Sequence, residues 1–284
     1  MKHENYPLTA ADIRIRDPYI LTDREKGCYY MYGTTALAEG SLRAGNTFTV
    51  YRTEDLEHFS EGKVVFDGGA IGFWADRDFW APEVHVYNGR YYLFGSVKAE
   101  GRCRATQIFV SDSPEGPFMP IAEDPPTPKD WECLDGTLLV EDGVPYMVFC
   151  HEWVQVGDGE MCAIRLTEDL SAPLGEPILL FHASDDPDVT HMKNRPGFYV
   201  TDGPFFYRED GKLRMIWSSY GAGRYLVLEA ESDGGLFGNW THKGSKYGFD
   251  GGHAMLFERL DGRRMISLHS PNKAGLERAV FFEY

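Results

Sequence analysis

The sequence predicts an all-β chain folded as a five-bladed β-propeller with a central funnel, and three observations carry that prediction. Helical periodicity is scarce, while short apolar and aromatic runs bounded by Gly, Asp and Asn recur from end to end. One unit recurs five times: an apolar strand, a polar tip, and an aromatic-rich return strand. The copies lie far enough apart to hold two further strands each, which is the period of a propeller blade. A β-sandwich with irregular hairpins would explain the alternation, but not five similar hairpins at this period. Residues 1–284 are expected to form a single propeller domain.

The copies are Asp17–Thr35, Ala81–Val97, Asp135–Trp153, Asp202–Gly221 and Gly252–Asn272. Each turns through a hairpin signal: Lys26-Gly27 in the longer first tip, then Asn88-Gly89, Asp142-Gly143, Asp210-Gly211 and Asp261-Gly262. Thr47–Arg52, Gln107–Ser111, Cys162–Leu166 and Tyr225–Glu231 are expected as further strands of their blades.

Bulk composition narrows the function classes. The net charge of −16 gives no basic patch with which to neutralise phosphates, so nucleic-acid binding is not expected. No stretch approaches the roughly 20 apolar residues of a membrane-spanning helix. The five cysteines, Cys28, Cys103, Cys133, Cys150 and Cys162, are odd in number and lack C-x-x-C spacing. A disulfide framework or zinc site is therefore not expected, and a reducing compartment fits. With no apolar leader run in the first twenty residues, a cytoplasmic location is expected. Aromatic residues make up 14% of the chain; most must pack between sheets, and some are available to stack on a sugar.

In a propeller the first strand of each blade lines the channel, so equivalent first residues gather at one mouth. On the repeat as read, Asp17, Asp135 and Asp202 occupy matching positions in blades one, three and four. The ends of the second strands return to that mouth with Thr34, Ser96, His151, Glu152, Ser219, Tyr220 and His269, and loops add Trp74 and Trp80. Clustered carboxylates repel, so some must hold their protons to higher pH. Such a funnel suits glycoside hydrolysis, in which one carboxyl protonates the leaving oxygen and another activates water or attacks the anomeric carbon. A single Asp would read as an ordinary turn cap; three in register point to chemistry.

At these residues the sequence resembles glycoside hydrolase family 43, the five-bladed β-xylosidases and α-L-arabinofuranosidases. Arg16-Asp17-Pro18-Tyr19-Ile20 resembles the family's opening motif, whose Asp is the general base. Trp80-Ala81-Pro82-Glu83-Val84 is similar to its blade-two signature. Leu134-Asp135-Gly136-Thr137 resembles the segment whose Asp tunes and positions the acid. Gly252-His253 resembles the blade-five segment, whose His faces the channel axis and often a calcium ion or water. The general acid of the family is typically a Glu before Gly-Pro, whereas this chain has Thr201-Asp202-Gly203-Pro204. Asp is shorter by one C–C bond, about 1.5 Å. Three readings stay open: Asp202 is still the acid, Glu152 has taken the role, or the chain binds sugar without cleaving it.

The resemblance implies an inverting glycosidase on α-L-arabinofuranosides, β-D-xylosides or related oligosaccharides, and the expected cytoplasmic location favours exo-action on short chains. Asp17, Asp202, Asp135 and Glu152 are its expected catalytic group, and Trp74, Trp80, Glu83, Trp153, Tyr220 and His269 its expected sugar-facing group. No cofactor is required for the chemistry. A structural calcium near the axis, at His253, is implied by the family alone, and His253 reads equally as a hydrogen-bonded core histidine. Asp185-Asp186-Pro187-Asp188 has the composition of a calcium loop without its spacing. Glu132-Cys133 is similar to the acid segment of the retaining fructosidases, but the nucleophile motif of that clan is absent.

Overall fold

Asn88-Gly89, Asp142-Gly143 and Asp210-Gly211 each hold both residues at positive φ. A two-residue hairpin between right-twisted strands requires that backbone, and Asn, Asp and Gly adopt it at least cost. These tips join Arg77–Tyr87 to Arg90–Lys98, Cys133–Glu141 to Val144–His151, and Asp202–Glu209 to Lys212–Gly221. Together with Arg16–Asp23 and Cys28–Thr34, and with Gly252–Glu258 and Arg264–Ser270, they are the five inner hairpins read from the repeat. The computed structural model describes residues 5–35 and 40–284. In it each hairpin grows outward into its own sheet, and the five sheets form a five-bladed β-propeller.

The third strands are Thr47–Thr53, Ala105–Ser111, Glu160–Leu166, Arg224–Ser232 and Arg278–Glu283. Blades one to four add an outer strand: Lys63–Asp67, Met119–Pro120, Pro173–His182 and Trp240–Ser245. Among the described residues blade five has three strands, not the four expected of every copy. The N-terminal strand Leu8–Thr9 does not complete it; that strand pairs with His58–Phe59 on blade one. The buried Glu277 is one of the links between blade five and the start of blade one. Its carbonyl accepts from the Ile15 N–H at 3.4 Å, and its carboxylate pairs with Arg14 and Arg16.

The core lies between blades rather than in one central mass. Phe48, Phe66, Phe79 and Phe109 pack at the junction of blades one and two, with Phe66 and Phe109 ring centroids 4.5 Å apart. Trp217, fully buried, packs with Phe181 where blades three and four meet. Most of the aromatic content is spent here, because two sheets facing each other are filled most efficiently by large flat side chains.

One irregularity repeats in every blade and aims the site. In each first strand the pairing register slips by one residue, at Asp17-Pro18, Ala81-Pro82, Asp135-Gly136, Gly203-Pro204 and His253-Ala254. The first residue of each bulge has positive φ, between 44° at Ala81 and 55° at Asp17 and Asp135. That backbone costs a non-glycine residue of the order of 1–3 kcal/mol and persists only where surrounding bonds enforce it. Here the preceding blade supplies the acceptor. Thr34 Oγ1 accepts the Ala81 N–H, Ser96 Oγ the Asp135 N–H, Ser218 Oγ the His253 N–H, and His269 Nδ1 the Asp17 N–H, at 2.7 to 3.2 Å. Each acceptor sits at the same place on its second strand, so the bulges are latched around the ring.

Candidate active site

The bulges correct the register read from the sequence. Asp17 and Asp135 are equivalent, but the third member of their set is His253, with Ala81 and Gly203 in the remaining blades. Asp202 stands one residue earlier, at the position of Arg16, Trp80, Leu134 and Gly252. The reason is that nothing in the strand pattern marks which residue of a bulge is the extra one. All the same, Asp17, Asp135, Asp202 and His253 meet on one cavity of about 220 Å³.

Asp17 is held as a carboxylate. Thr34 donates to its Oδ2 at 2.6 Å, and His253 Nδ1 lies 3.2 Å from its Oδ1. His269 Nδ1 is 3.4 Å away. Burial opposes the charge, but His253 outweighs it, with help from Arg16, and the carboxyl stays well below the usual range.

Asp135 has a different environment. Its Oδ2 accepts the Gly203 N–H at 3.1 Å, and Ser96 donates weakly to Oδ1. Burial and the nearby Asp17 push it up to about 6, against the pull of His253. Asp202 receives one bond, from the Tyr225 hydroxyl to Oδ2 at 2.8 Å. Burial and Asp135 drive its carboxyl well above the usual range, so it keeps a proton.

Glu152 also lines the cavity, at the N-cap of the short helix Trp153–Val156. Burial pushes it up, but Arg104 pulls it back from 3.7 Å. The Arg104 guanidinium lies 3.7 Å from the Trp80 ring centroid, so Arg104, Trp80 and Glu152 form one packed unit. Trp153 and Tyr220 complete the aromatic wall.

Three expected wall residues lie elsewhere. Trp74 lines a separate cavity on blade two, with Arg102 over its ring at 4.1 Å and its Nε1 donating to Gln107 Oε1 at 3.1 Å. Glu83 is buried immediately after its bulge and pairs with His85 at 3.0 Å. His269 is fully buried behind Asp17 and stacks on Tyr225, so it supports the wall without lining it. Arg16 and Tyr225 do line the cavity and were not singled out from the sequence. Arg16 had a signal, its place beside Asp17; Tyr225 had only its position at the start of a predicted strand.

His253, which the resemblance offers to a calcium ion, lines the cavity beside the acids. The Nδ1 atom faces the carboxylates of Asp17 and Asp135, at 3.2 and 3.7 Å, where it serves as their cationic partner. Among the described residues no three His, Cys, Asp or Glu side chains are grouped to hold a metal. The Asp185–Asp188 turn is likewise without such a group.

A cavity of this size, lined by carboxyls in unlike environments and by an aromatic wall, suits acid–base chemistry on a small ligand. The chain matches Glycosyl hydrolases family 43 over residues 10–283 and belongs to that family of glycosidases. It is similar to the endo-arabinase from Bacteroides thetaiotaomicron, seen in a crystal structure, with 40% identity and a TM-score of 0.90 over 99% of this chain and 98% of that one. It is also similar to the extracellular exo-alpha-(1->5)-L-arabinofuranosidase of Cellvibrio japonicus, 23% identical over 75% of this chain and 60% of that protein. A shorter match, 35% identical over 28% of this chain and 24% of the relative, is to xylosidase/arabinosidase 43A of Humicola insolens. The chain thus spans between about a quarter and three fifths of the length of these two curated relatives.

Proposed function

We propose that residues 1–284 act as one catalytic propeller that hydrolyses α-L-arabinofuranosyl linkages of short oligosaccharides with inversion, β-D-xylosyl linkages being the neighbouring specificity. The observation that carries this is the meeting on one cavity of two carboxyls in opposite settings, Asp17 bonded by Thr34 and facing His253, and Asp202 bonded by Tyr225 alone. Asp17 takes a proton from water as the water oxygen bonds to the anomeric carbon. The glycosidic C–O bond breaks, and the Asp202 proton passes to the leaving oxygen. Asp135 is left to fix and bias the acid. Glu152, paired with Arg104, is assigned to sugar hydroxyls rather than to proton donation.

The arabinose preference rests on the whole-length likeness to an endo-arabinase. Exo-action rests on cavity size: about 220 Å³ is below the roughly 300–1,000 Å³ that buries a larger ligand. The test is digestion of arabino-oligosaccharides and xylo-oligosaccharides, followed by chromatography and by NMR in methanol–water. Release of single arabinose units without methyl glycoside supports the proposal. Methyl arabinoside would show retention, internal fragments would show endo-action, and binding without release would replace the enzyme with a sugar-binding propeller.

A further inference from the structure

The Asp202 carboxyl has no share in the latch that holds the bulges. It stands one residue ahead of its bulge, and its Oδ2 takes a single bond, from Tyr225. Tyr225 itself is firmly seated. The two-residue turn Ala222-Gly223, both at positive φ, brings Tyr220 and Tyr225 together across the hairpin at the mouth. The Tyr225 backbone N–H donates to Asp250 Oδ1 at 3.0 Å, and its carbonyl accepts the Gly251 N–H. Its ring lies over Gly252, where a Cβ would come within 2.4 Å of Cε1. The ring is also flanked by Tyr220, at 5.3 Å between centroids, and by His269, at 5.6 Å between centroids and 21° between planes. His269 in turn accepts the Asp17 N–H.

We infer that Tyr225 is the positioning residue of the proton donor: its hydroxyl fixes Oδ2 of Asp202, leaves Oδ1 to carry the proton to the substrate, and stabilises the carboxylate that remains. This rests on the reading of Asp202 as the acid. A phenol donates more strongly to a carboxylate than to a carboxylic acid. The bond therefore strengthens as the proton leaves, in the direction catalysis needs. The same ring, through His269, ties the acid to the backbone of the base. Burial and Asp135 drive the Asp202 carboxyl up, and Tyr225 is the largest influence bringing it back down. The other charged or titratable groups facing this cluster are Asp17, His253, Arg16, Tyr220 and Cys150.

The test compares Tyr225→Phe with wild type on an unactivated arabino-oligosaccharide and on a 4-nitrophenyl arabinofuranoside, across pH. Loss of the bond raises the acid's pKa, so the alkaline limb of kcat/KM moves up by about one pH unit. Turnover of the oligosaccharide falls several-fold, while the nitrophenyl substrate, which needs little protonation, is spared. A limb that stays put or moves down, or equal loss on both substrates, overturns the inference. Should Tyr225→Phe fail to fold, a ring-fluorinated tyrosine at 225, a stronger donor of nearly the same shape, must move the limb down; an unmoved limb overturns the inference equally. Asp202→Asn is measured alongside. If it keeps oligosaccharide activity, the assignment of the acid has failed, a result distinct from failure of Tyr225 alone.

Discussion

The Gly203 backbone N–H donates to Asp135 Oδ2 at 3.1 Å, so a carboxyl on blade three grips the bulge next to Asp202 on blade four. At the other four junctions the bulge N–H goes to a Thr, Ser or His of the preceding blade. Here the equivalent residue is Cys150, whose sulfur is a poor acceptor, and Asp135 takes the bond instead. The same carboxyl thus orients Asp202 through the backbone and raises its proton affinity through charge.

Replacing Asp135 by Asn keeps an acceptor for Gly203 but removes the charge. Asp202 then loses the repulsion that holds its proton, so its pKa falls. The alkaline limb of kcat/KM should move to lower pH, opposite to the shift expected of Tyr225→Phe, with a loss of about 10–100-fold at neutral pH. A pH–rate profile on an unactivated substrate checks both direction and size.

Asp17→Asn should lower kcat by about 10²–10⁴-fold on activated and unactivated substrates alike, since water must be activated in either case. Circular dichroism should show an unchanged fold. Full activity in this variant would remove Asp17 from the role of base.

Asp202→Asn and Glu152→Gln separate the two candidate acids. The Asp202 variant should be disabled on oligosaccharides and largely active on nitrophenyl glycosides. The Glu152 variant should raise KM and leave the alkaline limb in place. The reverse pattern, read from steady-state kinetics on both substrates, would move the acid to Glu152.

His253 links stability to pH. Burial alone would lower its pKa from 6.5, but Asp17 and Asp135 raise it to about 10. A group whose folded pKa is raised stabilises fully below its unfolded value and loses that contribution as pH rises through the folded one. Wild-type Tm should therefore fall between about pH 6.5 and pH 10, and the fall should be shallower in His253→Gln. Parallel melting curves across that range would refute the pairing.

Ser218 carries the latch between blades four and five, accepting the His253 N–H at 2.7 Å. Ser218→Ala leaves that buried donor without a partner, at a cost of about 1–3 kcal/mol. Urea denaturation should show it, with an unchanged m-value.

Much of this molecule was legible in the chain. The Asn-Gly and Asp-Gly tips fixed where the inner hairpins turn, and the spacing between them left room for the third strands that are found. Asp17, Asp135 and Asp202 were correctly drawn to one cavity. Their register was not legible, because a bulge is defined by pairing across strands: Ala81 and Gly203 occupy it as readily as Asp17. Trp74 and His269 illustrate a second limit. Both belong to segments that end at the mouth, but whether a ring faces the funnel or the space behind it is set by the loop path and by neighbours from other blades.

By itself the sequence determined the five blades and the mouth at which the acids meet, because turn residues and strand periodicity act over a few residues. Tertiary structure alone decided which carboxyl holds a proton. Protonation depends on burial and on partners brought in from other blades: His253 from blade five beside Asp17, and Asp135 from blade three beside Asp202. Tyr225 reaches Asp202 only because the fold pairs two neighbouring hairpins of one blade and seats the ring against Gly252.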